Sequence, residues 1–530
     1  MSLYLTQPIS IPLDKANDHE YLTDKLYRLL RVRRQSLLSY SLHRRSIDAR
    51  NKSDIRFVCS YVVDCQTVPQ NAESYAEPQD IIQNARNLNT SARCIVVGAG
   101  PAGLFSALYL AKCGFDVIVI ERGSNIGQRK QAVDEFLSGG RFNEQTNIQF
   151  GLGGAGTFSD GKLTSNLGST SLGRTVFNQF VNCGAPDEIL FNAMPHIGTD
   201  KLQLVVENLC RQIESYGGKF LFDCCVSDLI ISGDTVTGVV AERQGQSLKL
   251  YADYVILACG HSARDTFSML YNIGAEMQFK PFAVGLRIEH PREFINTAQY
   301  GKLFASHRDL GSAVYKLTHK CADGHGCYSF CMCPGGVVVA ANSQPDTVVV
   351  NGMSNFSRDG ANSNSALVVT VNADDLQAYG YGRDVFSGVR FQQDLENKAY
   401  ALGGGNYVAP CQNAQDFVNN RISTQFITVP GYPRGVKSCN LRDLLPNNLA
   451  DNLAEALTSF NRKIQGFCDT GVLTAVETRT SSPVRIVRGG GFQSNIKRLY
   501  PVGEGAGYAG GIVSSAVDGL KVAVSIAENI

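Results

Sequence analysis

At 530 residues, 44% of them hydrophobic and 18% charged, the chain is excluded from the disordered class and is too long for one ordinary core, so two or three domains are expected. A formal net charge of +1 excludes a global pull toward nucleic acid or anionic lipid. No stretch offers the roughly 18 uninterrupted apolar residues of a spanning helix, and Met1 to Pro12 lacks a basic segment followed by an apolar run; no membrane partner is expected. The sixteen cysteines are scattered through a long chain, with Cys94 and Cys259 inside apolar strand-like runs, which predicts a reducing, cytoplasmic setting.

Residues 1–88 read as a small α+β domain. The stretch DKLYRLLRVRRQSLLSYSL is helix-like, DIRFVCSYVVD is β-rich, and the polar run VPQNAESYAEPQD reads as a linker. Lys25 to Arg56 carries ten Lys or Arg against Asp48 and Asp54. No aromatic residues are interleaved in a stacking pattern, so this is read as a solvated helix surface and not as a nucleic-acid-docking face.

Residues 89–268 alternate strands and helices, as a doubly wound α/β domain does. In CIVVGAGPAGLFSALYLAKCGFDVIVIERG, Gly98, Gly100 and Gly103 form G-x-G-x-x-G between a short apolar strand and a helix. Gly98 makes the tight turn, Gly100 admits a pyrophosphate, and Gly103 permits close helix–strand packing, with the helix N-terminus facing the negative charge. Glu121 follows about 20 residues on, where a carboxylate accepts ribose hydroxyls. The motif alone leaves FAD and NAD open. The glycine-rich FGLGGAGTFSDGKLTS, the strand YVILACG ending at Gly260 and the C-terminal YPVGEGAGYAGGI favour a flavin.

Residues 269–465 change character. FAVGLRIEH, GVVVAA, TVVVNGM and ALVVTVN are β-rich runs between Gly, Asn and Ser turns, predicting a mostly antiparallel substrate or cap domain. Residues 466–530 return to strand, glycine turn and helix and complete the interrupted α/β domain.

GAGPAG, ERG followed by Arg129, FGLGGAGTFSDGKL, LACGHSARDTF, YSFCMCPGG, NGMS, ETRTSSPVRI and PVGEGAGYAGGI together resemble a family of FAD-dependent dehydrogenases of unassigned substrate. That family, of the NAD(FAD)-utilising dehydrogenase type, lies within the glutathione-reductase-like flavoproteins, and RRSIDARNKSDIRFVCSYVVD is similar to its leading small domain. The resemblance implies FAD held by Gly98, Gly100, Pro101, Ala102 and Gly103, by Glu121, Arg122 and Arg129, and by the Gly153–Gly154–Ala155 loop. Gly260 and the turn containing Gly503, Glu504, Gly511 and Ile512 complete the implied set. Gly503-Glu504 departs by one methylene from the Gly-Asp of the wider flavoprotein pattern.

Only one nucleotide-binding βαβ unit is visible, so any NAD(P)H is expected to dock transiently in the substrate cleft. Beside the glycine-rich loop, Asp160 and Lys162 are singled out, with Lys162 placed to stabilise reduced flavin. In ETRTSSPVRI, Arg479 and Arg485 with Thr480, Ser481 and Ser482 suit a carboxylate or phosphate, and Arg479 is the expected anchor for an anionic substrate. The segment HKCADGHGCYSFCMCPGG holds His319, Cys321, His325, Cys327, Cys331 and Cys333 but no Cys-x-x-Cys knuckle; its thiols are expected to be structural, with no metal, although Cys331 and Cys333 are spaced as a redox pair. The leading expectation is an FAD-dependent oxidoreductase transferring hydride between flavin N5 and a small organic molecule. Alternatives are an RNA-modifying flavoprotein docking through the basic N-terminal domain and a non-catalytic flavin-binding protein.

Overall fold

The computed structural model describes residues 2–530; Met1 lies outside them. In the N-terminal domain, Phe57, Cys59, Tyr61, Val63 and Cys65 recur every second residue and all are buried, the signature of a strand with one face on a core. That strand, Arg56–Cys65, is the centre of an antiparallel sheet. Leu37–Asp48 pairs along one side, Ile9–Pro12 and Leu3–Thr6 share the other, and Ala72–Ser74 lies beyond, inside the run expected to be a linker. Helix His19–Leu30 begins where the Asp18 carboxylate accepts the Tyr21 N–H at 3.0 Å and buries Leu22, Leu26 and Leu30 as one stripe. The helix expected to run on past this point stops. Arg31 takes a left-handed conformation (φ 52°), and Leu37–Asp48 is drawn into cross-strand pairing with Arg56–Cys65, which outweighs its helical pattern.

Short runs of Val, Ile and Leu buried on both faces make parallel strands. Five of them form an all-parallel sheet in the order Leu499–Pro501, Tyr254–Leu257, Arg93–Val97, Asp116–Ile120, Lys219–Leu221. Val96, Val117 and Ile256 pack to one side with helices Pro101–Lys112 and Ile512–Glu528; Ile95, Val97, Val255 and Leu257 pack to the other. The two helices meet so closely that a Cβ on Gly519 would lie 2.1 Å from the Ala102 carbonyl oxygen. The second face is covered by helix Arg264–Asn272 and the antiparallel strands Cys224–Ser232, Thr235–Arg243 and Gln246–Tyr251. Chain order reverses beside Arg93–Val97, whose neighbours are Asp116–Ile120 and Tyr254–Leu257, and the crevice beyond the carboxyl ends of these strands is where α/β sheets bind ligands.

The insert is built on a seven-stranded sheet in the order Thr318–Lys320, Gly326–Cys333, Asn362–Val371, Phe282–Pro291, Val472–Glu477, Ala409–Asn413, Val436–Ser438. All pairs are antiparallel except the last. Val472–Glu477 lies beyond residue 465, in the stretch assigned from sequence to the returning part of the α/β domain. Its six residues are all buried between two strands of the insert, so the insert's sheet extends to Glu477. The chain leaves and re-enters the α/β domain side by side, because Met277–Phe279 pairs with Val484–Ile486.

Candidate functional site

At the end of Arg93–Val97, Gly98 turns with φ 102°, and a Cβ there would sit 2.4 Å from the Ala258 carbonyl oxygen of the neighbouring strand. A Cβ on Gly103 would lie 2.0 Å from the Gly98 oxygen, so Gly103 serves helix–strand contact and does not line the cavity. Gly100 is different. Its backbone is extended (φ −79°), and a Cβ there would meet nothing nearer than the Gly154 Cα at 3.9 Å, pointing into a deep cleft lined also by Gly98, Pro101 and Ala102. The free N–H groups of the first turn of helix Pro101–Lys112 open onto this cleft. Glu121, 5% exposed, accepts the N–H groups of Ala99 (2.8 Å), Gly123 (3.0 Å) and Gly151 (2.9 Å), tying three loops together at the cavity wall. A carboxylate has about four acceptor positions, so capacity for a hydroxyl remains.

Arg122 lines the cavity, stacked 4.4 Å from the Phe150 ring centroid and held by both Asp265 oxygens at 2.9 Å. Arg129 does not. Its side chain is fully buried and its nitrogens donate to the carbonyls of Asn147, Ile148, Gly151 and Leu152, so it fixes the loop and touches no part of the cavity, a correction to the cofactor contact implied by resemblance. Gly153 likewise shapes the loop from outside, while Gly154 and Ala155 line the cleft. From the C-terminal turn, Glu504, Gly511 and Ile512 line it and Gly503 packs behind, its N–H donated to Asp518 at 2.8 Å. Gly260 completes the wall beside Ala258 and Cys259.

The far wall comes from the glycine-rich loop and the insert. Lys162 lines it, 3.8 Å from the Asp160 carboxylate. Burial pushes Asp160 up, but the Arg358 guanidinium, bonded at 2.9 and 2.6 Å, holds the carboxyl below its ordinary value, with Ser354 donating as well. Glu477 and Glu504 also line the cavity, and burial pushes each up to about 7, against the opposing pull of Arg287 on the first and Lys280 on the second. His261, beside them, is pushed down to about 4 by burial with Arg479 and Arg264 nearby, so its ring is neutral at pH 7.

Arg479 lines the cavity, but its guanidinium is already engaged. Nε and Nη2 donate to Glu396 at 3.0 and 2.7 Å, and Nη1 donates to Ser262 and Ser343. Glu396 is fully buried and also receives Arg264 and Thr478; burial alone would raise it, and the two guanidinium groups bring it down to about 2. The role expected of Arg479 as anion anchor gives way to that of a buried strut joining the insert to the α/β domain.

The expectation that the cysteine cluster is uniformly structural also changes. Cys321, Cys327 and Cys333 are buried, but Cys331 lines the cavity. His319, Cys321 and Glu455 bring one ligand atom each within 4.8 Å of one another; the 2.7 Å His319–Glu455 contact and the Cys321 thiol on the Asn452 carbonyl account for them without an ion. Sequence reasoning missed Gln149, Phe330, Asn351 and Glu477. Phe330, Asn351 and Glu477 lie inside YSFCMCPGG, NGMS and ETRTSSPVRI, and Gln149 immediately precedes the glycine-rich loop, but nothing in those strings sets these side chains apart from their neighbours; only the fold brings the four together.

Residues 281–480 match a family described as FAD-dependent protein, C-terminal domain-like; residues 96–148 match an NAD(P)-binding Rossmann-like domain, and residues 6–64 a domain of unknown function. An uncharacterised protein of Clostridium beijerinckii is 40% identical over 532 residues, covering 98% of each chain. The chain belongs to this FAD-dependent protein family. A digeranylgeranylglycerophospholipid reductase of Haloferax volcanii is 30% identical over 249 residues, 46% of this chain and 50% of its own. Among solved structures, the flavin-dependent brominase Bmp2 aligns over 83% of this chain and 79% of its own with a TM-score of 0.39 and 13% identity. The family implies FAD as the cofactor. The residues present fit that cofactor: an open Gly100 cradle at a helix N-terminus, Glu121 with spare acceptor capacity, and one continuous cleft running on to Lys162 and Ile512. Among the described residues, no helix is long and apolar enough to cross a membrane.

Proposed function

We propose that the protein is an FAD-dependent oxidoreductase that passes hydride between flavin N5 and a small organic substrate held under the insert. The observation that carries this reading is that the nucleotide turn and the polar side chains of the insert line one cavity, not two. Bound FAD would supply two-electron chemistry that no side chain here provides. The pyrophosphate would sit on the N–H groups opening from Gly100, the ribose on Glu121, and the ring system between the loop at Gly154–Ala155 and the start of helix Ile512–Glu528.

The chain's own residues then have separate tasks. Lys162 puts a positive charge on the cavity wall, where it favours an anionic reduced state or an anionic substrate group. Glu477 and Glu504, titrating near 7, hold or release a proton at their carboxyl oxygens. The insert forms the far wall of the cleft and is tied to the α/β domain through Arg479, Glu396 and Arg264. A nicotinamide donor would enter the same cavity, since the described residues contain one parallel sheet with one glycine turn of this kind.

The test is direct. Purified protein is expected to be yellow, to release FAD on denaturation, and to bleach anaerobically with NAD(P)H or with one member of a metabolite panel. Colourless protein that takes up no added FAD would overturn the reading. FAD that no donor or light-driven reductant bleaches would favour the non-catalytic alternative.

A further inference from the structure

Strand Gly326–Cys333 pairs with Asn362–Val371 in regular register from Cys327↔Val369 to Phe330↔Ala366, then slips, so that Cys333 and not Met332 faces Asn364. The slip is a bulge with Cys331 in a left-handed conformation at φ 43°, a region that few non-glycine residues occupy. Bulges re-aim side chains, and strained backbone of this kind clusters at functional sites. Here the bulge brings Cys331 to the cavity wall while Cys333 stays buried behind it, its thiol donating to the Cys331 carbonyl at 3.5 Å.

The pair faces charges of both signs, with Lys162 and Arg287 set against Asp160, Glu477 and Glu504. Arg287, fully buried, donates Nη1 and Nη2 to the Cys331 carbonyl at 3.4 and 3.2 Å and Nε to Glu477 at 3.1 Å. Lys162 stands on the cavity side. A hydrogen bond from the Cys333 thiol, aided by Lys162 and Arg287, holds the Cys331 thiol below its ordinary value against burial, and the same bond pushes Cys333 up. Cys224 and Cys259 also line the cavity, but burial pushes both of those thiols up. A thiol at the wall, more easily ionised than its neighbours, with a second thiol directly behind it is the arrangement of an attacking and a resolving cysteine.

We propose that Cys331 and Cys333 form a redox-active dithiol that exchanges two electrons with the flavin bound in this cavity. When the pair is oxidised, the two sulfurs give up two electrons and their two protons, a Cys331–Cys333 S–S bond forms, and FAD is converted to its two-electron-reduced form. In reverse, the electrons of reduced FAD cleave the S–S bond and regenerate both thiols. Glu477, linked to the Cys331 carbonyl through Arg287, is an acceptor for a displaced proton. The inference rests on the flavin reading above and deepens it by naming a thiol–disulfide couple as an electron partner of the flavin.

The test follows electrons and sulfur separately. Oxidised, FAD-loaded protein is titrated anaerobically with dithionite, and the peptide carrying Cys331 and Cys333 is weighed after alkylation at each stage. Wild type is expected to consume twice the reducing equivalents of Cys331→Ser or Cys333→Ser, each of which keeps a reducible flavin. Its peptide should pass from a disulfide to a doubly alkylated form. Equal consumption in all three proteins, with both wild-type thiols alkylated throughout, would overturn the dithiol. If the protein binds no FAD, the flavin reading fails by itself and the peptide still decides: after diamide treatment, a 331–333 disulfide supports the redox pair and two free thiols refute it.

Discussion

Glu396 is the residue on which most of the buried charge between the two main bodies depends. It sits fully buried between Arg264 and Arg479 with Thr478 as a third partner, and deleting the carboxylate leaves two guanidinium groups charged and unpaired. Glu396→Ala is therefore expected to cost about 3–5 kcal/mol in urea unfolding. Arg479→Ala should lose stability by a comparable amount, and its catalytic defect should track that loss. A fully stable Arg479→Ala protein with a selective rise in KM would restore the anion-anchor role. Glu477 and Glu504 act in the opposite sense. Burial raises their carboxyls from the ordinary glutamate range to about 7, so the folded state binds their protons more tightly than the unfolded state does. Their contribution is fully present below about pH 4.5 and is lost as pH rises through 7, and the urea midpoint of the FAD-free protein should fall over that interval. Glu504→Gln, which has no charge to bury, should flatten the fall; an unchanged pH profile would remove Glu504 as a cause. None of this was legible in the sequence. PVGEGAG marked Glu504 as a flavin-turn residue, but its lifted pKa depends on what covers it, and Glu396 stood in an unremarked helix 83 positions before the arginine it binds.

At the scale of elements, the strand–turn–helix unit from Arg93 to Glu121 was almost wholly readable, because each of its glycines answers a local steric demand. The same locality makes it separable by mutation. Gly100→Val places its Cβ in the cleft at ordinary contact distance from Gly154, so the protein should fold with near-normal stability and lose FAD. Gly103→Ala drives a methyl against the Gly98 carbonyl at 2.0 Å and should destabilise the fold by at least about 1–3 kcal/mol. Urea unfolding and flavin content measured on both variants would show the two effects apart; a stable Gly103→Ala protein with full FAD would refute the packing assignment. Where the sequence misled, the deciding interactions lay outside the local pattern. Arg129 follows the ERG segment in the position of a ligand contact, yet the nearby carbonyls of Asn147 to Leu152 consume its guanidinium. Leu37 to Asp48 continues a helical pattern, yet its pairing with Arg56–Cys65 decides its state. Val472–Glu477 was assigned to the wrong body because both of its partners, Phe282–Pro291 and Ala409–Asn413, lie far back in the chain.

For the whole molecule, the relation of the N-terminal domain to the rest is the consequential point. Its buried side chains, among them Ile11, Leu26, Phe57 and Val63, belong to the same continuous apolar cluster as Val284, Ile295 and Leu367 of the insert. Strand Leu37–Asp48 also grips the α/β domain: Arg45 N–H donates to the Phe191 carbonyl at 2.7 Å, Ala193 N–H donates back at 2.8 Å, and the Arg45 guanidinium stacks between Phe57 and Phe191. Lys52 reaches the Ala298 carbonyl of the insert at 2.6 Å. Arg45 and Lys52 are thus engaged by the other parts of the molecule, and Arg50 and Arg56 pair with Asp48 and Asp54, so four of the ten basic residues are already partnered. A domain sharing a core with its neighbour has no independent unfolding transition. Residues 1–88 and the remaining chain are therefore expected to unfold together, with far-ultraviolet circular dichroism and flavin fluorescence giving coincident curves; the chain has no tryptophan, so the flavin is the natural reporter. Deleting residues 1–88 should uncover apolar surface, raise binding of a hydrophobic dye and lower the midpoint of the remainder. A deletion variant that keeps wild-type stability and dye binding, or a separate early transition in the full chain, would show the domain to be a tethered module and would reopen the docking role of its basic residues.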